Sequence, residues 1–533
     1  MKNKLLVLLP LVVIMASCSI AGPVLSSSSE EVMSSSGLPV SSLSSDSSLT
    51  ESSSSSSSGK SSSNSSNSSS SSSKSSSSSS ATTSSEAISS SSSEASSSAP
   101  APDFVYNNPE FEHFFDPSTK IDIVMDFDTE SITNMSLMGG TNITVYHDVY
   151  HPCTLTLSID DVPTVYENVG VRLKGGDFSR SDFYYNGYGY AHFKLNFSTI
   201  FDDGIYDPLT DETIKDRRIL NDVKKLDLKW NRNQDETFTK ENYAHYMLNE
   251  EGILAQRINN CKVTIKENGV PLSWYTNIDY HVNETVDKQF LQRRMPKDEA
   301  KGNLYKGGYV GDDAPNLNDS SDYLMGVEDN YEEIHYTYSL KTNESKNNHT
   351  LLQNCIDVLS ADDETLSYQV KERFSEVMDV DYFIKYCALM WVVGNPDDFR
   401  YNSNNTYFYF NSVTNKMYII PQDNDRCLGI NIHGAMNLSV KGPMDVAAGY
   451  NGSSNSRPRV LRRFCLSNFD ENRPLIPQWN TRYLQLCNQY ANKYLDSAKF
   501  NAYTNSFAYK SSGGSYENVS FAEYAYNKLG TLS

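Results

Sequence analysis

Apolar and polar residues alternate with a period of two along 121–127, 144–150, 153–159, 164–173 and 190–197. Successive side chains of a strand point to opposite faces, so this alternation, rich in β-branched and aromatic residues, predicts an antiparallel sheet. At 239–251 the period changes. Tyr243, Tyr246, Met247 and Leu254 recur at helical spacing, and Gly252 marks a helix end. Strands return at 260–266 and 274–279, with Asn268-Gly269 as a hairpin turn between them. Helical patterns then dominate, at 351–359, 368–378, 382–391 and 479–495. The fold class is α+β, with strands first and helices later.

The two patterns meet at 395–429. Gly394-Asn395-Pro396-Asp397-Asp398 leads through an Asn-rich turn (Asn402, Asn404, Asn405) to Tyr407-Phe408-Tyr409-Phe410. A second apolar run, Met417-Tyr418-Ile419-Ile420, ends in Pro421-Gln422-Asp423-Asn424-Asp425. Two such runs joined by a polar turn predict a β-hairpin, whose antiparallel strands bring the acids before it and after it to one end. Carboxylates gathered there repel one another unless a cation separates them, and hard cations such as Mg²⁺ take oxygen ligands of this kind. Asp and Asn also form ordinary solvated turns. Here apolar flanks at 388–393 and 418–420 imply that the acids emerge from a packed core.

The first hundred residues are of another kind. Lys2 and Lys4, an apolar run at 5–15 and Ala16-Ser17-Cys18 read as an export signal, too short to span a bilayer. Ala16-Ser17-Cys18 resembles the lipobox of bacterial lipoproteins. That resemblance implies a chain lipidated on Cys18 and anchored to the membrane on its extracytoplasmic side; a plain secretory signal is the alternative. Residues 26–98 are overwhelmingly Ser and bury almost nothing, so 19–103 is expected to be a disordered stalk. Residues 104–533 can build a large core, and the 35 Tyr and 22 Phe of the chain mark this part as globular. A formal net charge of −21 argues against a nucleic-acid partner. Seven cysteines besides Cys18 are widely spaced without Cys-x-x-Cys, which argues against a zinc site and against a dense disulfide framework.

A second motif lies upstream. Arg172-Leu173-Lys174-Gly175-Gly176-Asp177-Phe178-Ser179-Arg180 runs from a strand into a glycine turn, where Lys174, Ser179 and Arg180 can hold phosphate oxygens. It matches neither the P-loop pattern nor the glycine loop of ordinary kinases, and by itself it also reads as a plain turn. Lys194 follows on the next strand, within His192-Phe193-Lys194-Leu195-Asn196-Phe197.

Taken in order, these segments resemble the spore coat protein H (CotH) kinase family over about residues 120–470. The resemblance also rests on Lys225-Leu226-Asp227-Leu228, the helix around Glu241, Glu284-Thr285-Val286-Asp287 and Gly302-Asn303-Leu304-Tyr305-Lys306. It implies an atypical protein-kinase-like bilobal fold, with a strand-rich first lobe at about 104–300 and a helix-rich second lobe at about 301–533. It implies further that Asp398 is the catalytic carboxylate and that Asp423, with Asp425 beside it, holds Mg²⁺ or Mn²⁺. Lys194 becomes the lysine on the ATP phosphates and Glu241 its ion-pair partner, with Lys174, Ser179 and Arg180 on the nucleotide. Asp397 competes with Asp398, because Asp397 to Asn402 has the Asp-x-x-x-x-Asn spacing of ordinary kinases. Gln422 stands where the family usually has an aromatic residue.

The expected activity is transfer of the ATP γ-phosphoryl to Ser or Thr of a surface or matrix protein, including the chain's own stalk. The alternative is an adhesion or carbohydrate-binding lipoprotein on the same fold. An EF-hand loop is a poor match, since Cys427 and Leu428 follow the acids. A sugar-nucleotide transferase lacks the preceding strand–helix alternation, and a serine hydrolase lacks Gly-x-Ser-x-Gly. A paired-carboxylate glycosidase stays open.

Overall fold

In the computed structural model the described residues are 106–140, 149–175, 180, 182–184, 187–199, 216–328, 334–361, 367–430, 437–445, 458–463, 476–510 and 518–532. Cys18, the Ser-rich segment, Ser179 and residues 144–148 lie outside them.

The alternation at 121–127 forms a strand as expected. β1 (Ile121–Phe127) buries every second residue, from Ile121 through Ile123 and Met125 to Phe127. Two short helices unforeseen from the sequence flank it, α1 (Pro109–Phe114) and α2 (Thr129–Gly140). β2 (His151–Ile159), β3 (Val162–Lys174), β4 (His192–Asn196) and β5 (Lys225–Trp230) follow, each antiparallel to its predecessor. α3 (Lys240–Glu250) precedes β6 (Ile258–Glu267), β7 (Val270–Pro271) and β8 (Ile278–Glu284). The Asn268-Gly269 turn joins β6 to β7, with both residues at positive φ. The strand read at 274–279 starts only at Ile278.

The strand order is β1-β2-β3-β4-β5-β8-β6-β7, and β6 also pairs in parallel with β1, Ile123 opposite Val263. The expected sheet therefore closes into a seven-stranded barrel, with β7 a spur on β6. Closure removes the open edges that such a sheet would present. Its interior is one apolar cluster, including Phe193, Leu195, Leu226, Leu228 and Val282.

After α4 (Lys288–Gln292) a second sheet runs in the order β10-β11-β9-β12-β13: β9 (Leu304–Gly307), β10 (Met325–Gly326), β11 (Tyr338–Leu340), β12 (Thr406–Phe410) and β13 (Met417–Pro421). Between β11 and β12 come α5 (Thr350–Ser360), α6 (Ser367–Val377) and α7 (Val380–Val393). β12 and β13 form the expected hairpin, Thr406 opposite Pro421, and all ten of their residues are buried. α7 is apolar on nearly all sides, as a helix inside a core must be. Asp379 caps its start, and Gly394 ends it in the left-handed conformation at φ 63°. α8 (Pro477–Tyr494), α9 (Ser497–Ser506) and α10 (Phe521–Gly530) follow among the described residues. These helices, α7 and the second sheet share a second apolar cluster, to which α3 also contributes Tyr243 and Met247.

Candidate functional site

Strand β5 alternates Leu226 and Leu228 into the barrel core with Asp227 and Lys229 on the opposite face. From there Lys229 Nζ donates to Glu241 Oε1 at 2.8 Å and Oε2 at 3.0 Å, and also to Asp423 Oδ1. The Lys229 and Glu241 side chains are 5% and 3% exposed, whereas Asp423 is 41% exposed. The triad thus runs from the interior to an open carboxylate. Burial alone would push the Lys229 ammonium down, but Asp423 and Glu241 together hold it well above the ordinary lysine value. Burial likewise works to raise the Glu241 carboxyl, and Lys229 overrides it, holding that group well below the usual range.

Glu241 is a hub. Its Oε1 accepts the Asn424 backbone N–H at 3.1 Å, and His281 Nδ1 lies 3.4 Å from Oε2. His281 is itself fixed by stacking on Phe238, with ring centroids 3.9 Å apart. Asn395, next to the α7 cap, donates to Asp423 O and Asn424 Oδ1, both at 3.1 Å. The start and end of the acidic hairpin are therefore tied to each other and to Glu241.

The two aspartates before the hairpin have opposite surroundings. Asp398 is 2% exposed. Its Oδ1 accepts from the Arg400 and Tyr401 amides at 2.8 and 3.0 Å, and its Oδ2 from Arg400 Nε at 3.0 Å. Arg400 goes on to Cys387 O and Met390 O, so this pair staples the turn to α7. The expectation that Asp398 is the reacting carboxylate meets this geometry, in which both oxygens are committed inside the core. Asp397 is half-buried and set among amides: Asn402 Nδ2 donates to Oδ1 at 2.5 Å and Asn405 Nδ2 to Oδ2 at 3.0 Å. Burial raises its pKa, against the pull of Asn402, and the Asp423 charge adds to the rise.

Asp425 is raised to about 7, first by burial and then by the Asp423 carboxylate. Asp423 itself stays ionised: burial works to raise it, and Lys229 overrides that and holds it below its ordinary value. Among the described residues no three His, Cys, Asp or Glu side chains gather closely enough to hold a metal alone. Asp423 and Asp425 nonetheless offer carboxylate oxygens of the kind that Mg²⁺ takes when phosphate and water oxygens complete its shell.

The expected pairing of Lys194 with Glu241 is corrected. Lys194 Nζ lies 3.5 Å from Asp227, and Lys174 Nζ shares that carboxylate at 2.9 Å. Burial pulls Lys194 down to about 7, only partly offset by Asp227. Arg180 folds back on the glycine turn, its Nε donating to Gly175 O at 2.7 Å. Nothing local distinguishes Lys229 from Lys225, which strand alternation sets on the same face of β5; only the packed fold brings Lys229 to Glu241.

Fold and site define a mixed α+β protein with a buried Lys–Glu pair opening onto an acidic hairpin. The model of the CotH kinase protein family matches residues 192–520, more than half the chain, and the chain belongs to that family. No curated protein matches it.

Proposed function

We propose that this chain transfers the γ-phosphoryl group of ATP to a Ser or Thr hydroxyl of a protein at the cell surface, in a metal-dependent reaction on a kinase-like bilobal frame. The observation that carries this is the Lys229–Glu241–Asp423 triad. A fixed ammonium beside a metal-ready carboxylate is what phosphate chemistry requires, because catalysis there is mostly positioning and charge stabilisation. The separation of the apolar residues into two clusters supports the two-lobed reading.

Lys229 holds phosphate oxygens, with Glu241 fixing its direction. Lys174 extends the positive face, since its charge reaches Asp423. Asp397, oriented by Asn402 and Asn405, takes the proton of the acceptor hydroxyl, a role that its raised pKa suits. Asp423, with Asp425, holds Mg²⁺ or Mn²⁺, which when bound neutralises charge on the phosphates. Asp398 is a structural staple. Cys18 carries the lipid anchor, and the Ser-rich segment offers candidate acceptor hydroxyls within the same chain.

The test is incubation of the full chain with γ-labelled ATP and Mg²⁺ or Mn²⁺. Label on protein that disappears in Lys229→Met, Asp397→Asn and Asp423→Ala supports the reading. Absence of label and of nucleotide affinity in the wild-type chain sinks it and leaves a binding lipoprotein.

A further inference from the structure

The C-terminal residues 518–530 meet the frame of this site at four places. Asn518 Nδ2 donates to Asn233 O at 3.1 Å and Gln234 O at 2.8 Å, and Asn233 Nδ2 in turn holds Asp425 O at 3.1 Å. Val519 N donates to Gly429 O at 3.0 Å, while Val519 O accepts from Lys240 Nζ at 2.9 Å, one residue before Glu241. Tyr524 Oη donates to Val392 O at 2.8 Å. Lys528, wholly buried, donates from Nζ to Leu438 O at 2.7 Å and to Lys441 O at 3.2 Å.

These contacts fall where the acidic hairpin closes. Gly394 and Gly429 bound the segment, both left-handed at φ 63° and 93°. Leu428 N reaches Val393 O at 2.9 Å to join its two ends. A Cβ on Gly394 would stand 2.0 Å from Tyr524 Oη, and one on Gly429 would stand 2.6 Å from Val519 Cγ2. The same short segment therefore presses on both glycines and on the loop that leads into Glu241.

We infer that residues 518–530 are a positioning strap, which sets Asp397, the Asp423–Asp425 pair and Glu241 relative to one another. None of its side chains belongs to the reacting set. Tyr524 acts through the α7 cap, Val519 through Gly429 and Lys240, and Asn518 through Asn233. The functional consequence rests on the phosphoryl-transfer reading; the mechanical claim does not.

Hydrogen exchange on the full chain tests it, with Tyr524→Phe, Asn518→Ala and, as control on the same helix, Tyr526→Ala, whose side chain is 80% exposed. Loss of one hydrogen bond, whether the buried one of Tyr524 or the part-buried one of Asn518, speeds local opening by roughly fivefold. Tyr524→Phe should show this at 394–405 and 423–430, and Asn518→Ala at 233–241 and 423–430. Strands at 151–174 and the control should exchange as in wild type. In parallel, affinity for Mn²⁺ with ATP should fall several-fold in both variants but not in the control. Faster exchange confined to 518–532, or unchanged Mn²⁺ affinity despite faster exchange at the site, would overturn the strap. A wild-type chain that binds no Mn²⁺ with ATP would refute the phosphoryl-transfer reading instead, and the exchange pattern would still decide the strap.

Discussion

Replacing Lys229 with Met removes the cation from a carboxylate that is 3% exposed. Breaking a buried pair in this way costs about 3–5 kcal/mol, because the remaining charge stays desolvated. His281 at 3.4 Å and the Asn424 amide at 3.1 Å still face Glu241, which places the cost toward the low end, about 3 kcal/mol. That free energy corresponds to a hundredfold or greater change in the acid dissociation of Glu241. With Lys229 gone, burial dominates and the carboxyl moves from well below its ordinary value to above it. The folded variant then binds a proton more readily than the unfolded chain. Its deficit is absent in acid and grows as pH rises through the folded-state pKa. Glu241→Gln in the same background should abolish that pH dependence and recover most of the loss, whereas Glu241→Gln alone strands the Lys229 ammonium beside Asp423. Thermal unfolding of the four proteins between pH 5 and 8 reads the coupling. A coupling below about 0.5 kcal/mol would mean that the two residues do not form a desolvated pair.

Other perturbations separate the site's parts. Asp398→Asn should destabilise the fold by about 3 kcal/mol or more, by leaving Arg400 buried without its counter-charge. Asp397→Asn should instead keep the melting temperature and lose phosphoryl transfer by two or more orders of magnitude. Lys194→Met should leave nucleotide affinity far closer to wild type than Lys229→Met, because Lys174 retains Asp227; calorimetry with an ATP analogue decides. Burial would raise Glu284, but Arg294 and Arg293 hold it down to about 2. It therefore contributes about 3 kcal/mol above its ordinary pKa, lost as pH falls from 4.5 toward 2, and Glu284→Gln should flatten that part of the acid-unfolding curve. Gly394→Ala should destabilise the chain by more than the ~1 kcal/mol of an ordinary left-handed strain, since its methyl group meets Tyr524.

By itself the sequence determined what depends on near neighbours. Periodicity placed β1, the β12–β13 hairpin and the helices α3, α5, α6, α7 and α8 within a few residues, because strand alternation and helical repeat are local consequences of burying one face. It also placed the acids before and after the hairpin at one shared end, since antiparallel pairing follows from two apolar runs and a short turn. Barrel closure was decided elsewhere: β1 and β6 are separated by more than a hundred residues, and nothing within either strand encodes their parallel contact. The choice of Lys229 over Lys194 for Glu241, and of a fully buried Asp398 beside a half-buried Asp397, was tertiary too. Such choices are made by desolvation, which forces each buried charge onto whichever opposite charge the packed fold brings within reach, and burial is a property of the assembled core alone.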